Sequence, residues 1–454
     1  MNPRGTRQGH SRRESGADRR EWERMRAHLR VKTFWGVPLR LFLAAIMLGL
    51  ALPWVDRAFA LVFRPYPDLN SESVASILGI IAGAMMTLSG LVFAALSAAM
   101  SFGVTSLSVR IVPVFQEDTV LRWGMGMFVG TFVYALLIAL SIATGEDNYK
   151  PWAATVGAVL ATVGCGVMFI AIVVRVCQHL NPAVLLRRLA ADGYRGMQVA
   201  SPSFHADAAT VASRHLPDGH AVRRSVTGKH GDALLAVNTP RLLDFETEWD
   251  MRIELVPKLG SPVPYDGVVF RTSAPTTPDQ DGRLLDAVAF GDVYSPANGP
   301  FGALRSMVDI ALKALSPAVN DPTRAVQALD QIEDILIRLA PRVAAEQERL
   351  ADHPGASVLR SWSRSWDDYI AAATDEIRQF GWRSVQIQRR LRALYAELIE
   401  QCPPEQHPPL EERIAALGRG VDQWWNDPLD RRLSRGTDPQ GLGTVHDDAA
   451  TPGS

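Results

Sequence analysis

Residues 73–109 read SVASILGIIAGAMMTLSGLVFAALSAAMSFGVTSLSV, a run without a single Asp, Glu, Lys, Arg or His. A bilayer core is crossed by about 20 apolar residues in helical form, and this run is well beyond that. As one helix it would reach about 55 Å. It is therefore expected to tilt, break, or project past the hydrocarbon near Gly103. Its content is unusual: Gly79, Gly83, Gly90, Ser76, Ser89, Ser97, Thr87 and many alanines. Gly79 and Gly83 form a small-xxx-small pair, which lets helices approach closely where lipid removes the hydrophobic drive. Two readings stay open, a central packing helix of a bundle or a pore-lining, oligomer-forming helix. Gly79, Gly83 and Gly90 are the candidate residues for either.

Working outward, Trp123–Gly145 and Pro151–Val174 are also free of charge, and a fourth apolar run covers Phe34 to about Val55. That one carries Arg40 near its start, close enough to the interface to snorkel, and Pro53 near its end. Four spans are expected, at about 34–55, 74–104, 123–145 and 151–174. Thirty-three mostly polar residues precede the first, unlike the short basic region of a cleavable signal, so an anchor is expected there. Basic residues near the spans are strongly asymmetric. Twelve lie in the N-terminal tail, the second loop and the stretch after the fourth span, against Arg57, Arg64 and Lys150 on the other side. The positive-inside rule then puts both termini and the C-terminal part in the cytoplasm, in a multi-pass protein of the cytoplasmic (inner) membrane. Trp35, Trp54, Trp123 and Trp152 stand at span ends as an aromatic belt.

Averages conceal this division. Mean hydropathy is +0.02, 21% of residues are charged, and the net charge is −1, so no basic bias points to nucleic acid. Cys165, Cys177 and Cys402 form no CxxC pair, and reduced structural thiols are expected.

The fold class expected is an α-helical integral membrane protein with a mostly α, partly β (α+β) cytoplasmic C-terminal domain. Residues 1–33 read as a basic cytoplasmic tail, disordered in part, ahead of the spans at 34–175. Asn181-Pro182 opens a helix as N-cap and first-turn proline. A β-containing module is expected over 181–298, with strands at Ala233–Val237, Met251–Val256 and Gly267–Phe270, and Thr239-Pro240 capping a helix between the first two. Over 299–430 the pattern turns helical. Leu304, Val308, Ile310, Ala311 and Leu315 recur at helical spacing, as do Val326, Leu329, Ile332, Ile335, Leu336 and Leu339. Further helices are expected at Trp366–Phe380, Trp382–Gln401 and Leu410–Trp425, and a disordered tail over 434–454.

Chemistry-bearing motifs are sparse. The chain has no Walker loop, GxGxxG, HExxH or GxSxG, so no catalytic residue, cofactor or metal site is expected and the balance leans away from an enzyme. His215, His220 and His230 lack matching carboxylates for a metal site. The last three spans hold no acid, Lys or His, which weighs against a proton-coupled pump. One segment stands apart, Ala314-Leu-Ser-Pro-Ala-Val-Asn-Asp-Pro322. Asp321 followed by Pro322 fits an N-cap and first helical position. The other reading is a loop in which Ser316, Asn320 and Asp321 face a ligand. If capping is the whole role, Asn320 lies outside the helix and tolerates change.

These residues also carry a resemblance. Met86-Thr87 through Val92-Phe93, Ser108-x-Arg110 and Gly130-Thr-Phe-Val-Tyr134 form one stretch. Asp309-Ile-Ala-Leu312, Ala314-Leu-Ser-Pro317, Asn320-Asp-Pro322 and Ala325-Val326 form a second, and Arg389-Arg390-Leu391 a third. In this order the chain resembles the bacterial predicted-membrane-protein family catalogued as domain of unknown function 2254, although Val109 stands where that pattern tends to have proline. The resemblance implies four spans and a cytoplasmic C-terminal domain, and no activity.

The function expected is a homo-oligomeric, channel-like or transport-related assembly, gated by its cytoplasmic domain. The alternative is a membrane-anchored sensor or scaffold whose helices bind a partner or small ligand. Expected partners are the lipid bilayer and further copies of the chain. No nucleic acid is expected, and a soluble partner is left open.

Overall fold

Runs that offer the backbone no water-seeking side chain satisfy their peptide groups internally as helices, and all four apolar runs do so. The computed structural model describes residues 22–23, 35–60, 71–108, 112–144, 152–199, 216, 218–224, 233–257, 260–291, 299–351 and 364–442. His215, His230, Arg64, Arg110 and Lys150 lie outside them. Helices α1 (Gly36–Ala60), α2 (Ser71–Ser106), the short α3 (Val112–Glu117), α4 (Thr119–Ala143) and α5 (Trp152–Leu180) belong to one compact unit, residues 32–185. Among the described residues four helices (α1, α2, α4 and α5) are long and apolar enough to cross a membrane. α2 is unbroken over 36 residues.

The centre of this unit is α4, which packs against α1, α2 and α5 and is the most buried of the four. Phe128, Ala135 and Ile138 line its inner faces. Glycines set the approach. A Cβ at Gly124 would come within 2.4 Å of the Ile172 side chain, and one at Gly126 within 3.0 Å of the Pro38 Cα. The outward faces carry large apolar side chains, among them Leu48, Ile80, Phe93, Leu160 and Ile170.

A single residue, Asn181, separates α5 from α6 (Pro182–Val199). Its side chain accepts from the Ala183 N–H at 3.1 Å, as the sequence indicates for a cap. The remainder of the chain from Leu186, together with residues 1–31, forms the second unit. Within it α6 is fastened to two later helices, α9 (Pro300–Leu315) and α10 (Pro322–Ala351). A Cβ at Gly193 would sit 2.8 Å from that of Ala303 on α9. From α10, Arg342 donates to the Met197 carbonyl at 2.8 Å, and the Asp334 carboxylate accepts from the Tyr194 hydroxyl.

The β-containing part holds two small antiparallel sheets. One has order β1-β4-β3, from β1 (His220–Arg223), β3 (Ile253–Leu255) and β4 (Val268–Thr272). The other pairs β2 (Ala233–Val237) with β5 (Val288–Gly291). With α7 (Thr239–Trp249) and α8 (Pro278–Asp286) they enclose a core that includes Leu234, Phe245, Ile253, Phe270 and Leu284. Strands β1 and β5 go beyond the sequence reading, and the cap of α7 is Asn238, one residue earlier than expected. Its side chain accepts from the Arg241 N–H at 3.2 Å, with proline in the first turn. Trp22, from the N-terminal tail, is buried on the second sheet with Ala236 and Ala289 and donates its indole N–H to the Asp286 carbonyl at 3.1 Å.

α9 and α10 bury the apolar positions expected from their spacing, Leu304, Val308, Ile310 and Ala311 on the first and Val326 through Leu339 on the second. Then α11 (Trp366–Ile370) runs through one π-helical turn (Ala371–Asp375) into α12 (Glu376–Phe380). A π turn breaks the regular backbone ladder. Here the Ala372 carbonyl accepts from Arg305 at 3.3 Å, and Asp375 takes a two-pronged grip from Arg413 at 2.9 and 3.0 Å. α13 (Val385–Gln401), α14 (Pro408–Trp424) and α15 (Pro428–Arg435) complete the module.

The expected disordered tail is corrected over its first part. Ser434 and Asp438 are buried, because α13 reaches the end of α15. Arg389 donates to the Leu433 carbonyl at 2.5 Å and Arg392 to that of Ser434 at 3.2 Å. Cations at a helix C-terminus satisfy carbonyls that have no partner within the helix.

Candidate functional site

The three glycines singled out on α2 face away from the rest of their unit. A Cβ added at Gly79, Gly83 or Gly90 meets nothing within 4 Å. At 100° per residue, Gly79, Gly83, Gly90, Ser97 and Ser101 fall within an arc of about 40°. The opposite face buries Leu78, Ile81, Met85, Val92 and Leu96 against the unit. α2 thus has a packed face and a stripe of small residues, with Ile80 and Leu91 exposed between the two. The glycines that bring the apolar helices together include Gly124 and Gly126 of α4, Gly49 of α1 and Gly157 of α5, and sequence spacing alone did not single them out.

The charged groups of the spanning unit gather at helix ends. At one end, Asp56 of α1 is buried and accepts from the Ala153 and Ala154 N–H groups at 3.3 and 3.1 Å. A carboxylate from one helix therefore caps the start of another, where free N–H groups and the helix dipole favour negative charge. At α4's N-terminus, Asp118 accepts from the Val120 and Leu121 N–H groups at 2.9 and 3.3 Å. Its second oxygen lies 2.9 Å from His179 Nε2 and 3.1 Å from Arg175 Nε, both on the last turns of α5. The Phe115 ring covers His179 at 5.0 Å. Burial pushes the Asp118 carboxyl up, but the hydrogen bond from His179 and the charge of Arg175 outweigh it and hold the group at about 2, well below its ordinary 3.8. Asp118 and His179 lie 61 positions apart in sequence, and no local pattern joins them.

The Ser316–Pro322 loop is closed on itself. Ser316 donates its hydroxyl to the Lys313 carbonyl at 2.7 Å, and its own carbonyl accepts from the Val319 and Asn320 N–H groups at 3.0 and 2.9 Å. Asp321 accepts from the Arg324 N–H at 3.0 Å and pairs with the Arg324 guanidinium at 3.2 Å, with Pro322 opening α10. These bonds are those of an N-cap. Asn320 has φ +46°, the left-handed region in which asparagine and glycine are tolerated and other side chains cost about 1–2 kcal/mol. Its role is therefore in the backbone, which capping alone leaves out. We expect Asp321→Ala to cost about 0.5–2 kcal/mol and Asp321→Ser to recover most of it. Asn320→Gly should be near neutral, and Asn320→Ala should cost about 1 kcal/mol. Thermal unfolding of the four variants checks this, and equal loss for serine and alanine at 321 would give the carboxylate a role beyond capping.

In the third motif, Arg390 lies between two carboxylates of α10, its Nε 2.9 Å from Asp330 and its Nη2 2.6 Å from Glu333. Its side chain is 2% exposed. Arg389 and Arg390 thus fasten α13 to α15 and α10.

The model of the family named domain of unknown function 2254, described as a predicted membrane protein, matches residues 31–397. An uncharacterized protein of Mycobacterium tuberculosis (strain CDC 1551 / Oshkosh) is 24% identical over 372 residues, covering 79% of this chain and 70% of the relative. A counterpart in Mycobacterium bovis is 23% identical with the same coverage. No solved structure matches.

Proposed function

Because the chain belongs to the predicted membrane protein family domain of unknown function 2254, we propose that it is a multi-pass protein of the cytoplasmic membrane that assembles with its own copies into a channel-like or transport-related complex. Residues 186–442 then act as a cytoplasmic regulatory domain. The observation that carries this reading is the stripe on α2. Among the described residues a Cβ at any of its three glycines meets nothing, whereas Ile80 and Leu91, to one side of it, have the bulk that suits contact with lipid. Small residues in lipid favour close helix–helix approach, and hydroxyls beside them suit a water-lined seam at a rotational axis.

Trp22 supports the topology. Its packing on the β2–β5 sheet is what an even number of crossings calls for, with the N-terminal tail and the C-terminal domain on one side. The basic residues of tail and domain favour the cytoplasm for that side.

The test is stoichiometry followed by conductance. Gly83→Leu and Gly90→Leu should break the purified assembly into smaller species by light scattering in detergent, while Ile80→Leu leaves it intact. The native assembly should conduct ions in planar bilayers. A monomer that is indifferent to all three substitutions removes the seam. The second reading, an anchored sensor whose helical domain binds a small ligand, is favoured by a cavity in that domain.

A further inference from the structure

A cavity of about 280 Å³ opens between α12, the turn after it, α13 and α14. One wall is a pair of indoles, Trp382 and Trp424, whose rings meet at 4.8 Å and 43°. Trp424 is 52% exposed, so its ring is open to a ligand. Arg378 supplies a guanidinium, its Nε 4.0 Å from the Asp375 carboxylate one turn earlier, and no carboxylate lines the space itself. The lining also contains Gln388, only 4% exposed. Buried amides are normally hydrogen-bonded within the fold, since leaving one unmet is costly. Among the described residues the Gln388 side chain has no such bond. Gly420 of α14 keeps the space open, for a Cβ there would meet only Trp424, at 3.9 Å.

We propose that this cavity is a binding site for a small planar heteroaromatic anion, with a free nucleoside monophosphate as the chemical type. Each part of the lining answers one part of such a ligand. The exposed ring of Trp424 offers a face for stacking, which tolerates any base. The Gln388 amide, donor and acceptor side by side, matches the edge of a base. The terminal nitrogens of Arg378 offer positive charge to the phosphate. The volume is at the low end for ligand cavities, enough for one ring system and too small for a dinucleotide. The inference concerns the helical module alone and holds whether or not the spans conduct.

The experiment is isothermal titration calorimetry of the full chain in detergent micelles with AMP, GMP, CMP and UMP, and with adenosine and inorganic phosphate as separate arms. At least one monophosphate should bind saturably with Kd below about 1 mM, its nucleoside about tenfold more weakly, and phosphate alone not at all. Three variants locate the site. Gly420→Leu fills the cavity without a backbone clash, Trp424→Ala removes the exposed indole, and Gln388→Met removes the amide. Each should weaken binding at least about tenfold. Gln388→Met should at the same time leave the melting temperature unchanged, because the amide makes no hydrogen bond within the fold. A fall in that temperature would mean the fold itself uses the amide, and overturns the proposal. So does the absence of saturable binding across the four monophosphates, binding that survives all three variants, or phosphate binding as tightly as the nucleotides.

Discussion

Arg390→Met should lower the stability of the helical module by about 3 kcal/mol, the low end of what breaking a buried ion pair costs. The low end applies because Asp330 is half exposed and can turn to water once its partner is gone, while Glu333, at 19% exposure, is held more tightly. Lysine should not rescue. It has one ammonium on a flexible stem, where Arg390 reaches two carboxylates on successive turns with a planar fork. The informative variant is the double one, Arg390→Met with Glu333→Met. If the loss comes from a stranded carboxylate, removing that carboxylate returns most of the stability, since a buried pair replaced by apolar groups is often neutral. Hydrogen exchange of the α13 amides in the full chain measures this locally. A double variant as unstable as the single one would show that packing of the arginine stem, and not charge, carries the effect.

Asp118→Ala should be comparably damaging to the spanning unit, by about 3 kcal/mol. It removes the cap of α4 and leaves His179 and Arg175 facing one another without the carboxylate between them. Asp118→Asn separates the two contributions, because its carbonyl still accepts the capping N–H bonds while the charge is gone. A pH series gives the sign. The carboxyl titrates at about 2 in the fold against an ordinary 3.8, so its folded-state pKa is depressed. Its contribution is present above about pH 4 and is lost as the pH falls toward 2. The gap in melting temperature between the native chain and Asp118→Asn should be widest above pH 4 and close below it. A gap independent of pH would assign the stabilisation to shape alone.

What the sequence made legible follows from the range over which each signal acts. The four apolar runs, the stripes of α9 and α10 and the Asp321-Pro322 cap are each written within a short window of sequence and are legible there. Strands β1 and β5 are four residues each, too short for alternation to stand out, and they form only because β4 and β2 lie beside them. Gly83 and Gly124 look alike in sequence. They differ only in whether Ile172 faces them, which is a tertiary fact. Trp22 and Asp286 are 264 positions apart, so no window joins them. The stretch from 434 reads as polar and glycine-rich, yet its start is tied down because Arg389 and Arg392, more than forty positions earlier, reach the carbonyls of Leu433 and Ser434. The candidate cavity was equally hidden. Trp382, Gln388 and Trp424 each read as ordinary helix-face residues until α12, α13 and α14 meet.

Asn181 has a mechanical consequence. It is the only residue between two helices, and one residue of chain spans at most about 3.6 Å when fully extended. The linkage between the fourth apolar helix and α6 therefore has almost no slack. An axial slide of α5 by one helical turn, about 5.4 Å, exceeds what that joint can absorb and must drag α6 with it. Because α6 is fastened to α9 and α10 through Gly193, Tyr194 and Met197, such a stroke would arrive in the helical module as displacement. A flexible insert of several glycines at Asn181 would disconnect the two ends while leaving both folds whole.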